Sequence, residues 1–314
     1  MRTLLLLLAA GCASAQGPQP ALRIDRDDSQ GRVVIADGDH EIVTWQYGQQ
    51  FAIPHWFPLK SPSGKDLVAE HPDPYPHHRA LWLADKVQLE DGPVVDFYHC
   101  FQNQVDKNDA SKGYRHFIRQ RAMPRCEARG DRATLAATLQ WLVGGEQPVL
   151  DEERTMVVTA LGGGEALIDL SWTWTANHGA VKFHSDWVHY AWPYLRMHPQ
   201  FSVERGGVLV DDVGRRGQAG TNAQYANWMD YSNTVDGVTE GVAVLLPQDG
   251  TWRKWLTRDY GTFGPRRADA LSGTKFTLAK GETLSGSARL YVHKGDAAAA
   301  DVAGRYRDYV KGSR

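Results

Sequence analysis

Apolar and polar residues alternate along most of this chain. The clearest case is Ile168-Asp169-Leu170-Ser171-Trp172-Thr173-Trp174-Thr175, where Ile168, Leu170, Trp172 and Trp174 take every second position. Successive side chains of a strand point to opposite faces, so this period predicts a strand over 166–175 with one buried face. Runs rich in Val, Leu, Thr and Trp predict further strands over 32–36, 41–46, 132–142, 154–160, 242–246 and 284–293. Turn signals separate them: Ala36-Asp37-Gly38-Asp39, Gly162-Gly163-Gly164, Asp236-Gly237 and Gln248-Asp249-Gly250. One helix is predicted, over 297–309, with Val302, Tyr306 and Tyr309 on its apolar side. Many strands and a single C-terminal helix define an all-β class, a large antiparallel sandwich. The stretch 20–312 is too long for an immunoglobulin-type sandwich of roughly 100 residues, so one larger two-sheet domain is expected.

The first residues read as an export signal. Arg2 supplies the positive end, residues 4–10 the apolar run, and small residues follow. Ala13-Ser14-Ala15 fits ordinary cleavage after residue 15, whereas Leu8-Ala9-Ala10-Gly11-Cys12 fits a lipoprotein signal of residues 1–11 with a lipid anchor at Cys12. Either way the expected location is the periplasm or the outer membrane, ahead of full secretion. The apolar run is too short to span a bilayer, and no later stretch approaches the needed length. The formal charge is −2, which leaves no basic excess for a nucleic-acid backbone. Beyond Cys12 only Cys100 and Cys126 remain. An oxidising compartment would permit a disulfide between them, and two buried free thiols are the other expectation.

Composition changes the picture at one point, the aromatics: 11 tryptophans and 12 tyrosines can fill a core and can also stack on sugar rings. Candidate chemistry begins at Pro74-Tyr75-Pro76-His77-His78-Arg79-Ala80-Leu81-Trp82. Histidine offers proton transfer near neutral pH or a metal ligand, and arginine a planar fork for carboxylates or hydroxyls. If a strand begins at His77, then His77 and Arg79 share one face and His78 takes the other. Four more segments concentrate functional side chains: Asp96-Phe97-Tyr98-His99, residues 182–198, Ala226-Asn227-Trp228-Met229-Asp230-Tyr231, and Trp255-Leu256-Thr257-Arg258-Asp259-Tyr260-Gly261. The second of these holds His184, Asp186, His189, Tyr190, Arg196 and His198 among aromatics. Imidazole beside a carboxylate is what acid/base catalysis asks for. His77, His78, His184, His189 and Asp186 would also suit a divalent metal, but no spacing specifies one, so no cofactor is expected. No nucleophile elbow, P-loop or dinucleotide fingerprint is present.

Taken in order, H-H-R-A-L-W with D-F-Y, then N-W-M-D-Y-S with D-G-V-T-E-G-V-A-V, then W-L-T-R-D-Y-G-T-F-G and L-Y-V-H-K-G-D, resemble the bacterial family labelled PmoA-like, from about Trp45 to Tyr309. The label suggests methane oxidation, yet a true methane monooxygenase subunit is an integral membrane protein, and methane oxidation is not carried over. The organisation is also similar to the galactose-mutarotase-like supersandwich. The resemblance implies an exported protein of unassigned activity from polysaccharide degraders. It implies His77, His78, Arg79, Trp82, Asp96, Asp230, Tyr231, Arg258, Asp259 and Tyr260 as site residues. The chain departs from that pattern at Ala80, where glycine is common, and at Tyr98, where tryptophan is common.

The expectation is a carbohydrate-active enzyme with a sugar or glycan across a concave sheet. His77 or His78 would transfer a proton with Asp230 or Asp186 as partner and His189 nearby. Trp82 would stack on a sugar, and Arg79 and Arg258 would grip hydroxyls or a carboxylate. Asp96, Tyr98, Arg196, Tyr231, Asp259 and Tyr260 would complete the binding surface. A non-catalytic surface glycan-binding protein and a metal-dependent oxidoreductase are the alternatives.

Overall fold

The computed structural model describes residues 21–100, 105–106, 109–113, 116–184, 190–267 and 275–312. Two eight-stranded antiparallel sheets carry the fold. The first runs in the order Leu22–Asp27, Arg32–Asp37, His40–Gln46, His55–Leu59, Leu81–Trp82, Tyr194–Arg196, Thr262–Pro265 and Trp255–Thr257. The second runs Phe117–Arg129, Arg132–Val143, Gln147–Gly162, Glu165–Thr175, Thr283–Lys294, Val238–Leu245, Trp228–Val235 and Val208–Asp211. A smaller sheet joins Phe276–Leu278, Val181–Phe183, Lys86–Leu89 and Val94–Asp96. The all-β sandwich expected from the alternation is therefore what the chain forms. Among the described residues no helix is long and apolar enough to cross a membrane.

The strands sit where the period places them. The segment Glu165–Thr175 turns Ile168, Leu170, Trp172 and Trp174 into the core, while Asp169, Ser171 and Thr173 are more exposed. Its neighbour Gln147–Gly162 starts earlier than the apolar run suggests, because Gln147 to Glu153 pair in register with Arg132–Val143. Pairing, not composition, sets that boundary. The helix also shifts: it occupies Val302–Gly312, and Asp301 caps it, its carboxylate accepting the Gly304 N–H at 3.0 Å. Residues 297–300 form turns instead.

The interior between the sheets is aromatic. Trp45 and Trp56 lie opposite each other in register, with ring centroids 4.7 Å apart. The Arg154 guanidinium sits over both, at 5.5 and 5.3 Å, and its Nε donates to Glu152 at 2.5 Å. Glu152 also accepts the Trp141 indole N–H at 2.8 Å. Cys100 is buried and Cys126 half-buried, and both are free thiols.

Face assignment positions the site. Leu81, Leu195 and Phe263 are cross-strand partners and therefore share a face. Phe263 meets Tyr231 of the second sheet at 5.4 Å, so that face looks into the sandwich. Trp82, Tyr194 and Arg196 take the alternate positions and look out the other way. Loops that follow the proline-rich run, the strand Val94–Asp96 and the strand Trp255–Thr257 cover that outer face.

Candidate functional site

The proline-rich run forms a turn and not a strand. The His78 N–H donates to the Tyr75 carbonyl at 3.0 Å, and a ladder begins only at Leu81. Pro74 and Pro76 lack the N–H that a ladder needs. The expected alternation of His77, His78 and Arg79 is therefore replaced by a turn that brings the two imidazoles edge to face, 4.6 Å apart. His78 stacks on Tyr75 at 5.0 Å, and Tyr75 stacks on Tyr260 at 4.9 Å. Tyr260 comes from the turn Arg258 to Gly261, closed by the Gly261 N–H on the Arg258 carbonyl at 3.0 Å. Gly261 has φ +106, a conformation that side chains disfavour, which fits glycine there.

A fully buried floor lies beneath these rings. Trp82 and Tyr194 are register partners, stacked at 4.8 Å, and Tyr98 packs on both at 5.9 and 5.0 Å. Stacked pairs of this kind add about 0.5–1.5 kcal/mol each beyond their buried area. The Tyr98 hydroxyl and His78 Nε2 share a hydrogen bond of 2.9 Å. Burial pushes the His78 imidazole down to about 2, and the charges of His77, Arg196, His99 and Arg79 push the same way. His78 is therefore neutral at physiological pH. It can position Tyr98 but cannot deliver a proton as an imidazolium.

The half-exposed rim holds a further imidazole and a carboxylate. His99 Nδ1 lies 2.7 Å from Asp96 Oδ2. Asp96 also receives the backbone N–H groups of Tyr98 at 3.0 Å and His99 at 3.2 Å, and the Tyr190 hydroxyl at 3.2 Å. Burial alone would raise the Asp96 carboxyl, but the bond from His99, its charge and its backbone N–H outweigh that and hold it below the usual carboxylate range. Asp96 is thus an anion that fixes the His99 ring by Nδ1. The His77 ring lies 4.5 Å from that of His99. Two imidazoles, one of them oriented by a carboxylate, stand together beside Tyr75 and on Tyr98.

The arginines frame this centre. Arg196 is only 4% exposed and donates to the Tyr260 carbonyl, with its guanidinium 4.8 Å from the Tyr260 ring and 5.9 Å from that of Tyr75. Arg258 donates to Asn222 Oδ1 at 3.0 Å and to the Thr257 carbonyl at 2.8 Å, and its charge bears on the Tyr98 and Tyr260 hydroxyls.

Several expected site residues stand elsewhere or act otherwise. Trp82 is fully buried, so it floors the cluster and offers no face to a ligand. Arg79 is 1% exposed and donates to the His77 carbonyl at 2.7 Å, which braces the turn instead of reaching a substrate. Asp259 accepts the Gln218 N–H at 2.7 Å and so anchors the short helix Gly217–Thr221. Tyr231 lies on the inner face of the second sheet, its hydroxyl 3.2 and 3.0 Å from the carbonyls of Arg258 and Asp259, and supports their turn from below. Asp230 does not approach the imidazoles. It is fully buried, 2.6 Å from His293 Nε2 and 2.9 Å from the Ser232 hydroxyl. Its strand neighbours of like orientation, Trp228 and Ala243, pack with Val302 and Tyr306 of the C-terminal helix. Asp186 and His189 fall outside the described residues, as do residues 1–20 with the export signal.

His99 and Tyr75 belong to the cluster; both lie within the segments singled out from the sequence, but neither is given a role there. A carboxylate followed three positions later by histidine, as in Asp96 and His99, was the available signal: in a tight turn that spacing lets the two side chains meet. Tyr75 had no such signal. Among the described residues no group of three or more His, Cys, Asp or Glu is placed to hold a metal ion.

The fold and site together define a two-sheet antiparallel sandwich with an imidazole and carboxylate cluster, walled by tyrosines, on the outer face of one sheet. The chain belongs to the family of unknown function DUF6807, whose model matches residues 32–307. None of the curated proteins matches it in sequence. Among solved structures it is similar to the α-galactosidase AgaB of Geobacillus stearothermophilus, at 12% identity and a TM-score of 0.44, over 87% of this chain and 41% of that one. It is also similar to an α-galactosidase of Lactobacillus brevis, at 10% identity and 0.43, over 88% and 40%. A third is the galactose 1-epimerase of Lactobacillus acidophilus, at 8% and 0.37, over 88% of this chain and 99% of that one. The chain spans about two-fifths of the length of the α-galactosidases.

Proposed function

We propose that this protein is an exported carbohydrate-active enzyme, acting on a sugar or glycan by acid/base chemistry at His77 and His99. The observation that carries the reading is the Asp96-held His99 ring 4.5 Å from His77 on a half-exposed, tyrosine-walled rim. One imidazole can accept a proton from a sugar hydroxyl or ring carbon while the other donates to an oxygen, the paired task that anomer exchange, elimination or glycoside cleavage all require. Tyr75 and Tyr260, half-exposed and stacked on each other, supply an aromatic wall beside which a pyranose ring packs. Arg258 adds a positive charge beside the Tyr98 and Tyr260 hydroxyls. The PmoA-like label stands as part of this proposal, without methane chemistry, and so do the export signal and a lipid anchor at Cys12.

Asp96→Asn tests the reading. Turnover on a panel of plant and algal glycans and free aldoses, read by anomer composition, released reducing ends and unsaturated products, is expected to fall ten- to a hundredfold, as when an orienting partner of a working histidine is lost. Binding of the same sugar is expected to persist. A glycan that binds the wild type with no turnover at all would replace the enzyme by a glycan-binding protein.

A further inference from the structure

Arg196 is a buried cation without an anion. Arg154, at 1% exposure, shows the usual arrangement: Glu152 answers it at 2.5 Å. Arg196 is 4% exposed, and no carboxylate among the described residues pairs with it. Burial pushes its pKa below the ordinary value, while Tyr260, Tyr231, Tyr75 and the exposed Glu204 act the other way without prevailing. The rings of Tyr260 and Tyr75 offset part of the lost hydration. They do not replace a counter-charge, which a guanidinium withdrawn from water calls for.

The unused part of the group has a definite shape. Nη1 donates to the Tyr260 carbonyl. Nε is buried and has no acceptor. Nη2 also forms no hydrogen bond among the described residues, but it is not sealed off as Nε is. In a guanidinium the Nε hydrogen and one Nη2 hydrogen lie side by side on a single edge. That edge donates two parallel bonds to the two oxygens of a carboxylate. The edge left open on Arg196 is therefore a complete carboxylate fork.

Contacts place the guanidinium in the imidazole centre. The Arg196 N–H donates to the Ala80 carbonyl at 2.7 Å, which ties its strand to the chain leaving the His77-His78 turn. The guanidinium lies 4.8 Å from the Tyr260 ring and 5.9 Å from that of Tyr75. Tyr75 in turn stacks on His78 at 5.0 Å and meets His77 edge-on at 6.1 Å. The charge of Arg196 bears on both His78 and the Tyr98 hydroxyl. Asp96, the carboxylate of the cluster, is held by His99 and by the backbone N–H groups of Tyr98 and His99.

We propose that the open Nε and Nη2 edge of Arg196 takes a carboxylate of the substrate, so that the His77 and His99 centre acts on uronic acids, or glycans built from them, in preference to neutral sugars. The proposal rests on the carbohydrate reading above and gives it a substrate class.

Calorimetric titration of the full chain with sodium glucuronate and sodium galacturonate tests this, with glucose, galactose and sodium sulfate as comparison probes. At least one uronate is expected to bind at least tenfold more tightly than its neutral counterpart and than sulfate. Arg196→Lys keeps the charge and a donor for the Tyr260 carbonyl but loses the two-toothed edge. It is expected to keep the melting temperature and to weaken uronate binding at least tenfold, with the neutral sugars unaffected. Arg196→Gln is the second variant, expected to remove the preference for uronate altogether. Uronate that binds through Arg196 without turnover would sink the catalytic reading and keep the carboxylate site. Turnover of neutral sugars with no preference for uronates would do the reverse. Uronate binding that is indifferent to Arg196→Lys, or that sulfate equals, overturns the proposal.

Discussion

His99→Gln is expected to lower turnover by about a hundred- to ten-thousandfold, the usual worth of a positioned acid or base, with little change in the sugar concentration at half-saturation. His99 is half-exposed at the rim, and its carboxylate partner holds Nδ1 at 2.7 Å. Glutamine keeps a hydrogen-bonding group there but cannot exchange a proton near neutral pH. His77→Gln is expected to fall in the same range, since the two rings are 4.5 Å apart and share the task. His78→Gln differs in kind: His78 is already neutral, so its loss acts through Tyr98 and stability. If His99→Gln and His77→Gln turn over like the wild type, the imidazoles are not catalytic.

The second large effect is on folding. Asp230→Ala is expected to destabilise the protein by about 3–5 kcal/mol, because it leaves His293 buried without its carboxylate. At this chain length the fall in Tm is on the order of 10 °C. Burial lowers the affinity of His293 for its proton, but the charge of Asp230 and its hydrogen bond prevail, and the imidazole pKa is raised above its ordinary 6.5. The sign follows: the linked stability is complete below about 6.5 and is lost as pH rises through the raised folded-state value. The gap between wild type and Asp230→Ala in urea melts should therefore narrow toward alkaline pH. A gap that widens with pH, or a variant as stable as the wild type, contradicts this account of the pair. Sugar turnover by the folded fraction should change far less than with His99→Gln, since Asp230 lies on the sheet face turned toward the C-terminal helix.

The long strands were legible because their period is strict and their length lets it repeat. Glu165–Thr175 and Thr283–Lys294 lie within one residue of the ends read from the pattern. The strands that hold the site were not legible: Leu81–Trp82 and Tyr194–Arg196 have two and three residues, too few for any period to show. They are strands because longer neighbours hold them. Of the site, His77, His78, Asp96, Tyr98, Arg196, Arg258 and Tyr260 do come together, from segments up to about 180 positions apart. Asp230 and Tyr231 illustrate the reverse. Both were expected in one pocket, yet adjacent residues of a strand face opposite ways, and Trp228–Val235 obeys that rule. Tyr231 reaches the site from beneath, and Asp230 cannot. Arg79 and Trp82 were expected to meet substrate and are instead buried in its supports. Composition signals such residues equally well in either role, and only burial separates them.

The most direct measurement is nuclear magnetic resonance of the histidine side chains, with imidazole nitrogens labelled and assigned by His77→Gln and His99→Gln, during titration with the sugar that the protein turns over. Shifts of the His77 and His99 nitrogens that saturate with the bound fraction, while those of buried His293 stay in place, are the predicted result. Saturating sugar that leaves both rim imidazoles unmoved would contradict the account.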